Sequence, residues 1–172
     1  MKPHDLFLVI GQSGAGRTTV IHVLDDQGFD TLDNVPIHLI SRIVSDQLFD
    51  KPLALGVDIS SKSFSSENLL KELNNWRTKS NSNVIIIFLT CKTETLLNRF
   101  SVTRRPHPIT SEKSLKNSIK KELEIVGSLR DHADFIIDTS STSPNDLRLQ
   151  LSTMFSIKRK QNIQILIQSF SF

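Results

Sequence analysis

The chain has 172 residues, 38% of them hydrophobic and gathered into runs, enough to bury about two thirds of the surface its unfolded form exposes and to build one compact domain with a little left over. With 21 basic and 18 acidic residues the net charge is +3, too mild by itself to indicate nucleic-acid binding and compatible with anionic ligands. The single cysteine, Cys91, excludes an internal disulfide and a cysteine-built zinc cage, the 5 histidines lack metal-ligand spacing, and no run suits a signal peptide or a membrane span, so a cytoplasmic chain is expected.

The first apolar run, Leu6 to Ile10, has the length and β-branched content of a buried strand. It leads into a glycine-rich loop, after which Val20, Val23 and Leu24 recur at helical spacing. Gly28 is a natural C-cap for that helix, and a short strand at Asp30 to Leu32 is expected next, its end marked by Asp33-Asn34-Val35-Pro36. Ile40, Ile43 and Val44 predict a helix, Leu53 to Ile59 a strand, Leu69, Leu73 and Trp76 a helix, and Val84 to Leu89 a strand. Leu115, Ile119, Leu123 and Val126 mark a further helical face, Phe135 to Ile137 a strand, and Leu147, Leu151 and Met154 a last helix. Ser60 to Ser66 and Thr139 to Ser143 read as loops that also supply helix N-caps. This alternation predicts an α/β fold, a three-layer parallel sheet with helices on both faces. Lys158-Arg159-Lys160-Gln161 reads as a charged hinge. A nucleotide-binding domain is therefore expected over 1–156, and within 157–172 a first strand, Ile163 to Ile167, that lacks its own sheet and invites self-association.

The loop Gly11-Gln12-Ser13-Gly14-Ala15-Gly16-Arg17-Thr18 fits Gly-x4-Gly-Lys/Arg-Ser/Thr, a pattern expected by chance about once in a hundred chains of this length. A strand before it and a helix after it aim backbone N–H groups and a helix N-terminus at a phosphate, in the arrangement of a P-loop NTPase or kinase. Gly11, Gly14 and Gly16 are expected to take positive φ and to let the amides approach without a Cβ in the way. Thr18 is placed to put its hydroxyl on Mg²⁺. Arg17 stands where lysine is usual, so phosphate binding is expected to survive while the fit to the γ-phosphate changes. The glycine order G-x-x-G-x-G does not match the dinucleotide fingerprint.

Asp58, at the end of an apolar run, either holds Mg²⁺ through water or caps the following turn. Asp33 either receives a proton or a magnesium water or forms a turn with Asn34. Arg99, Arg104 and Arg105 lie in or beside Thr103-Arg104-Arg105-Pro106-His107-Pro108, read either as a lid over phosphates or as a solvated basic loop. His107 has no visible partner in the sequence, and Cys91 reads as a small apolar residue.

These segments, together with Val23-Leu24-Asp25-Asp26-Gln27-Gly28-Phe29, Leu32-Asp33-Asn34-Val35-Pro36, Phe100 to Pro108 and Ala133-Asp134-Phe135-Ile136-Ile137-Asp138-Thr139-Ser140, resemble the RapZ/YvcJ nucleotide-binding proteins in order and spacing along nearly the whole chain. The resemblance implies binding and hydrolysis of ATP and GTP, an ATP loop at Gly11 through Thr18 and a GTP segment at Asp58-Ile59-Ser60-Ser61, where the arginine usual in that segment is Ser60. Gln168 to Phe172 resembles the opening of the family's C-terminal domain, which in its RNase-adapter members serves RNA and amino-sugar-phosphate sensing. An RNA or protein partner is accordingly implied only for a full-length member.

Three readings follow. The first is a nucleotide-binding domain with slow Mg²⁺-dependent hydrolysis, in which Asp58 assists the metal, Arg17 lies at the phosphates, and Arg104 and Arg105 close over them. The second is a small-molecule kinase with Asp33 as its base. The third is a nucleotide sensor or adapter that binds without turnover.

Overall fold

The computed structural model describes residues 5–45, 50–61, 64–79, 83–104, 106–109 and 114–155. Arg105 and the whole segment 157–172, with the strand expected at Ile163 to Ile167, lie outside them. The elements run β1 (Leu6–Gly11), α1 (Arg17–Asp26), β2 (Asp30–Val35), α2 (Ile37–Ser45), β3 (Leu53–Val57), α3 (Ser66–Lys79), β4 (Val84–Thr90), α4 (Thr93–Thr103), α5 (Leu115–Arg130), β5 (Phe135–Asp138) and α6 (Pro144–Met154). The strands form one sheet in the order β2-β3-β1-β4-β5, every neighbouring pair parallel.

Alternation along β1 builds both cores. Leu6, Leu8 and Ile10 join one cluster with Leu55, Phe88, Leu69 and Trp76, while Phe7 and Val9 join another with Val20, Leu24, Leu147 and Leu151. Helices α2 and α3 therefore cover one face and α1 and α6 the other, which is why the central strands are apolar on both sides. Phe7 anchors the second face through edge-to-face contacts with Phe29 at 4.9 Å and Phe155 at 5.8 Å.

Local signals explain the boundaries. At the end of α1, Gly28 takes φ 92°, its N–H reaches Asp25 O at 2.8 Å and the Phe29 N–H reaches Leu24 O at 3.1 Å, the paired bonds of a Schellman cap. Helix α6 begins with a capping box in which Ser143 accepts from Asp146 N and Asp146 accepts from Ser143 N, with Pro144 in the first turn.

Three expectations change. β2 runs on through Asp33 and Asn34 to Val35, with an irregular register between Leu32 and Val35. β3 stops at Val57, so Asp58 and Ile59 follow the strand. Helix α4 stands where the periodicity gave none, because only Leu96 of its face is fully buried.

Candidate functional site at the carboxyl edge of the sheet

β1 lies between β3 and β4, where the chain's crossovers diverge to either side. In open α/β sheets the ligand crevice forms at this point, beyond the carboxyl ends of the strands. The loop from Gly11 to Thr18 occupies it. Gly11 itself is strand rather than left-handed: a Cβ there would meet Leu89 O at 2.5 Å, so its glycine serves close strand approach. Gly14 and Gly16 do take positive φ, 83° and 103°, as the turn into a helix requires.

Each of the next four residues is fastened to a different element. Gln12 Oε1 accepts the Cys91 N–H beyond β4 at 3.1 Å. Ser13 donates its N–H (2.8 Å) and its hydroxyl (2.5 Å) to Glu122 on α5. Gly14 O accepts from Arg99 on α4 at 2.9 Å, and Ala15 O accepts the Thr139 hydroxyl beyond β5 at 2.9 Å. The first turn of α1 carries no capping side chain and no acidic residue. Its outward N–H groups are therefore left for an anion.

Arg17 and Thr18 meet the ends of β2 and β3. Arg17 donates from Nε to Asp33 Oδ1 at 3.0 Å, from Nη2 to Asn34 Oδ1 at 3.0 Å and from Nη1 to Val57 O at 2.7 Å. Thr18 donates its hydroxyl to Asp33 Oδ2 at 2.8 Å. Asn34 sits at φ 59° and donates its own N–H to Asp33 Oδ1 at 2.7 Å. Gly56 makes room: a Cβ there would lie 2.1 Å from Asp33 Oδ1.

Asp58 directly follows β3, its N–H reaching Val35 O at 2.9 Å. Its carboxylate accepts the Ser60 N–H at 2.9 Å and the Ser60 hydroxyl at 2.6 Å, closing a turn around Ile59. Thr18 meets Asp33 instead, so the structure brings together a hydroxyl and a carboxylate different from the pair expected. Arg99, a lid candidate, lies within α4 and is spent on Gly14 O and on Thr139 O at 2.6 Å. Arg104 ends α4 in the left-handed region at φ 50°. It is exposed and makes no hydrogen bond or ion pair with another described residue.

Two residues escaped sequence reasoning. Glu122 is a fully buried carboxylate on α5, and Thr139 clamps the loop from the end of β5. His107, which showed no partner in the sequence, is buried, with its ring on Phe100 at 5.1 Å and its Nε2 3.4 Å from Glu122 Oε2. Beside the loop, Asp138 accepts the N–H and hydroxyl of Ser140. Those bonds, helped by Lys92 and Arg130, hold its carboxyl below the usual carboxylate range.

A cavity of about 680 Å³ opens over the loop, lined by Gln12 to Thr19, by Arg99, Phe100 and Pro106 on one side, and by Thr142 to Pro144 and Leu147 on the other. That volume suits a small-molecule ligand of nucleotide size. Among the described residues no cluster of three or more His, Cys, Asp or Glu is placed to hold a metal, and no helix is long and apolar enough to cross a membrane.

Comparison with known proteins agrees with this geometry. Residues 4–159 match the family described as RapZ-like N-terminal domain. A nucleotide-binding protein of Dinoroseobacter shibae is 37% identical over 170 residues, covering 99% of this chain and 57% of the relative. One of Cereibacter sphaeroides strain KD131 is 31% identical over 172 residues, covering all of this chain and 58% of the relative. The chain thus spans somewhat over half the length of these curated relatives. Among solved structures it is similar to a shikimate kinase from Acinetobacter baumannii in complex with shikimate (TM-score 0.55, 21% identity, 91% of this chain and 96% of that one). It is also similar to a gluconokinase from Sinorhizobium meliloti (TM-score 0.54, 13% identity, 88% and 91%). These two likenesses establish a P-loop kinase-like fold.

Proposed function

Starting from the fact that the chain belongs to the RapZ-like N-terminal domain family, whose curated relatives are named nucleotide-binding proteins, we propose that it binds ATP and GTP with Mg²⁺ through the loop Gly11 to Thr18 and hydrolyses them slowly. The observation that carries this reading is the loop itself. Four successive residues are fastened to four elements while the first turn of α1 keeps its N–H groups open to an anion.

Thr18 Oγ1 and Asp33 Oδ2, 2.8 Å apart, are hard oxygen donors of the kind Mg²⁺ takes, so the residues fit this ion. Held there, Mg²⁺ would supply positive charge to neutralise the polyphosphate. The chain's own work is to orient the polyphosphate with loop amides and to hold Asp33 beside the Thr18 hydroxyl, with Arg104 and Arg105 as the proposed basic groups that act on the phosphates. Asp58 then keeps a turn-forming role near the nucleotide, and the segment Asp58 to Ser61 is a second candidate for guanine-nucleotide contact through the family resemblance.

A small-molecule kinase is the alternative, favoured by one observation: Asp33 is a partly exposed carboxylate (26%) beside the Thr18 hydroxyl, where a base for an acceptor hydroxyl would stand. Titration with ATP and GTP, run beside phosphate release, tests the main reading. Saturable binding with slow release of inorganic phosphate supports it, transfer of labelled γ-phosphate to a metabolite supports the kinase, and binding without either product leaves a non-hydrolysing sensor. Absence of binding by folded protein overturns all three.

A further inference from the structure

Among the four fastenings of the phosphate loop, the one at Ser13 is made by a buried carboxylate, Glu122. It is 0% exposed, and a buried charge is costly unless donors and counter-charges meet it. Both its oxygens turn to one residue of the phosphate loop: Oε2 accepts the Ser13 backbone N–H at 2.8 Å and Oε1 accepts the Ser13 hydroxyl at 2.5 Å. Charge-assisted bonds of this kind are about twice as strong as neutral ones.

The other group facing this carboxylate is His107. Its Nδ1 accepts the Ile109 N–H at 3.1 Å, which leaves the proton of the neutral ring on Nε2. Nε2 lies 3.4 Å from Glu122 Oε2, short of an aligned hydrogen bond, and has no other partner among the described residues. His107 sits between Pro106 and Pro108, whose rings restrict the backbone of the turn. Its ring rests on Phe100, which also lies 3.3 Å from where a Cβ on Gly14 would stand. Pro106, Pro108, Phe100 and Ser13 all border the cavity over the loop.

We infer that Glu122 is a positioning residue of the nucleotide site: its buried carboxylate fixes the first limb of the phosphate loop through Ser13, where the His107 ring packs the turn that borders the same cavity against it. The ligand it serves is the polyphosphate of a nucleotide, and Glu122 acts on it only through Ser13. The inference rests on the nucleotide-binding reading and deepens it.

Calorimetric titration of the full chain with Mg²⁺-ATP, with a thermal midpoint recorded for each variant and the Ser13 amide proton followed by NMR, tests it. Glu122→Gln should weaken ATP binding about tenfold or more at a temperature where the protein remains folded, the order expected when a bond to a charged group is lost, and His107→Gln, which removes only packing against that carboxylate, should weaken it measurably but less. Ser13→Ala should add nothing in the Glu122→Gln background, because its hydroxyl acts through that carboxylate. The Ser13 amide proton should move upfield in Glu122→Gln. A folded Glu122→Gln protein that binds ATP within twofold of wild type overturns the inference, as does a double variant whose loss is the product of the single losses. If Glu122→Gln does not fold, His107→Gln and Ser13→Ala decide the matter, and unchanged ATP affinity in both overturns it. Wild type that is folded yet binds neither ATP nor GTP sinks the nucleotide reading and this inference together, whereas wild-type binding with an indifferent Glu122→Gln sinks the inference alone.

Discussion

Arg17 donates to the Asp33 carboxylate at 3.0 Å and has its two remaining guanidinium nitrogens on Asn34 Oδ1 and Val57 O. The cation of the phosphate loop is thereby committed to the ends of β2 and β3, in a forked geometry that lysine cannot copy. Arg17→Lys should free the point charge to follow charge developing on the γ-phosphate. Phosphate release is expected to rise several-fold while ATP affinity changes by less than about threefold. Equal or slower release by the variant counts against this role.

Two aspartates are candidates for the proposed magnesium role, and they differ in their contacts. Asp33 touches the Thr18 hydroxyl, while Asp58 closes its own turn on Ser60. Asp33→Asn should remove most of the gain in ATP affinity that Mg²⁺ gives over EDTA, about tenfold or more. Asp58→Asn should change that gain by less than about twofold. The reverse order would return the metal to Asp58. Gly56→Ala, which drives a methyl against Asp33 Oδ1, should copy Asp33→Asn with both carboxylates intact.

Gly16 takes φ 103°, and a Cβ there would meet Leu147 Cδ2 at 3.2 Å. A β-branched residue is strained in that conformation by about 1–3 kcal/mol and would push the loop from the helix N-terminus. Gly16→Val should therefore abolish ATP and GTP binding in a protein that still melts cooperatively. Retained binding would remove the phosphates from this loop.

Asp138 titrates below the usual carboxylate range because the Ser140 hydroxyl and N–H favour its charged form. A depressed folded pKa gives stability that is present above the unfolded value, about 3.9, and is lost as pH falls through the folded one. Urea midpoints of wild type and Asp138→Asn should differ by a constant amount from neutrality down to about pH 5 and converge below about pH 4. A gap that widens on acidification would reverse the sign.

Phe155 is the last described residue that packs into the core. It is buried and stacks edge-to-face on Phe7 and on Phe135, 5.4 Å away in the second case. A chain ending at Ser156 should keep ATP affinity, whereas Phe155→Ala should cost about 3–5 kcal/mol of stability in chemical denaturation. Loss of ATP affinity in the shortened chain would extend the domain into 157–172.

The strands and the phosphate loop were legible because their signals are local: apolar β-branched runs, and glycines at fixed spacing between a strand and a helix. Glu122 was not, and α5 explains why. Its buried face is Ser118, Ile119, Glu122, Val126 and Leu129, whereas a reading that collects apolar residues takes Leu123, which is 41% exposed. A glutamate at the third position after Ile119 and the fourth before Val126 was the available clue. The Arg17–Asp33 pairing was hidden for another reason: it depends on the irregular register that carries β2 past Leu32 and on the space left by Gly56, which only the assembled sheet creates.

The four fastenings of Gln12, Ser13, Gly14 and Ala15 also shape the thermodynamics of an encounter with a ligand. The conformational entropy of the loop is surrendered when β4, α5, α4 and β5 come together, before any phosphate arrives. Binding then carries little ordering cost, and its heat-capacity change should reflect only the apolar area that the base and sugar cover, without the large negative contribution of a segment that folds around its guest.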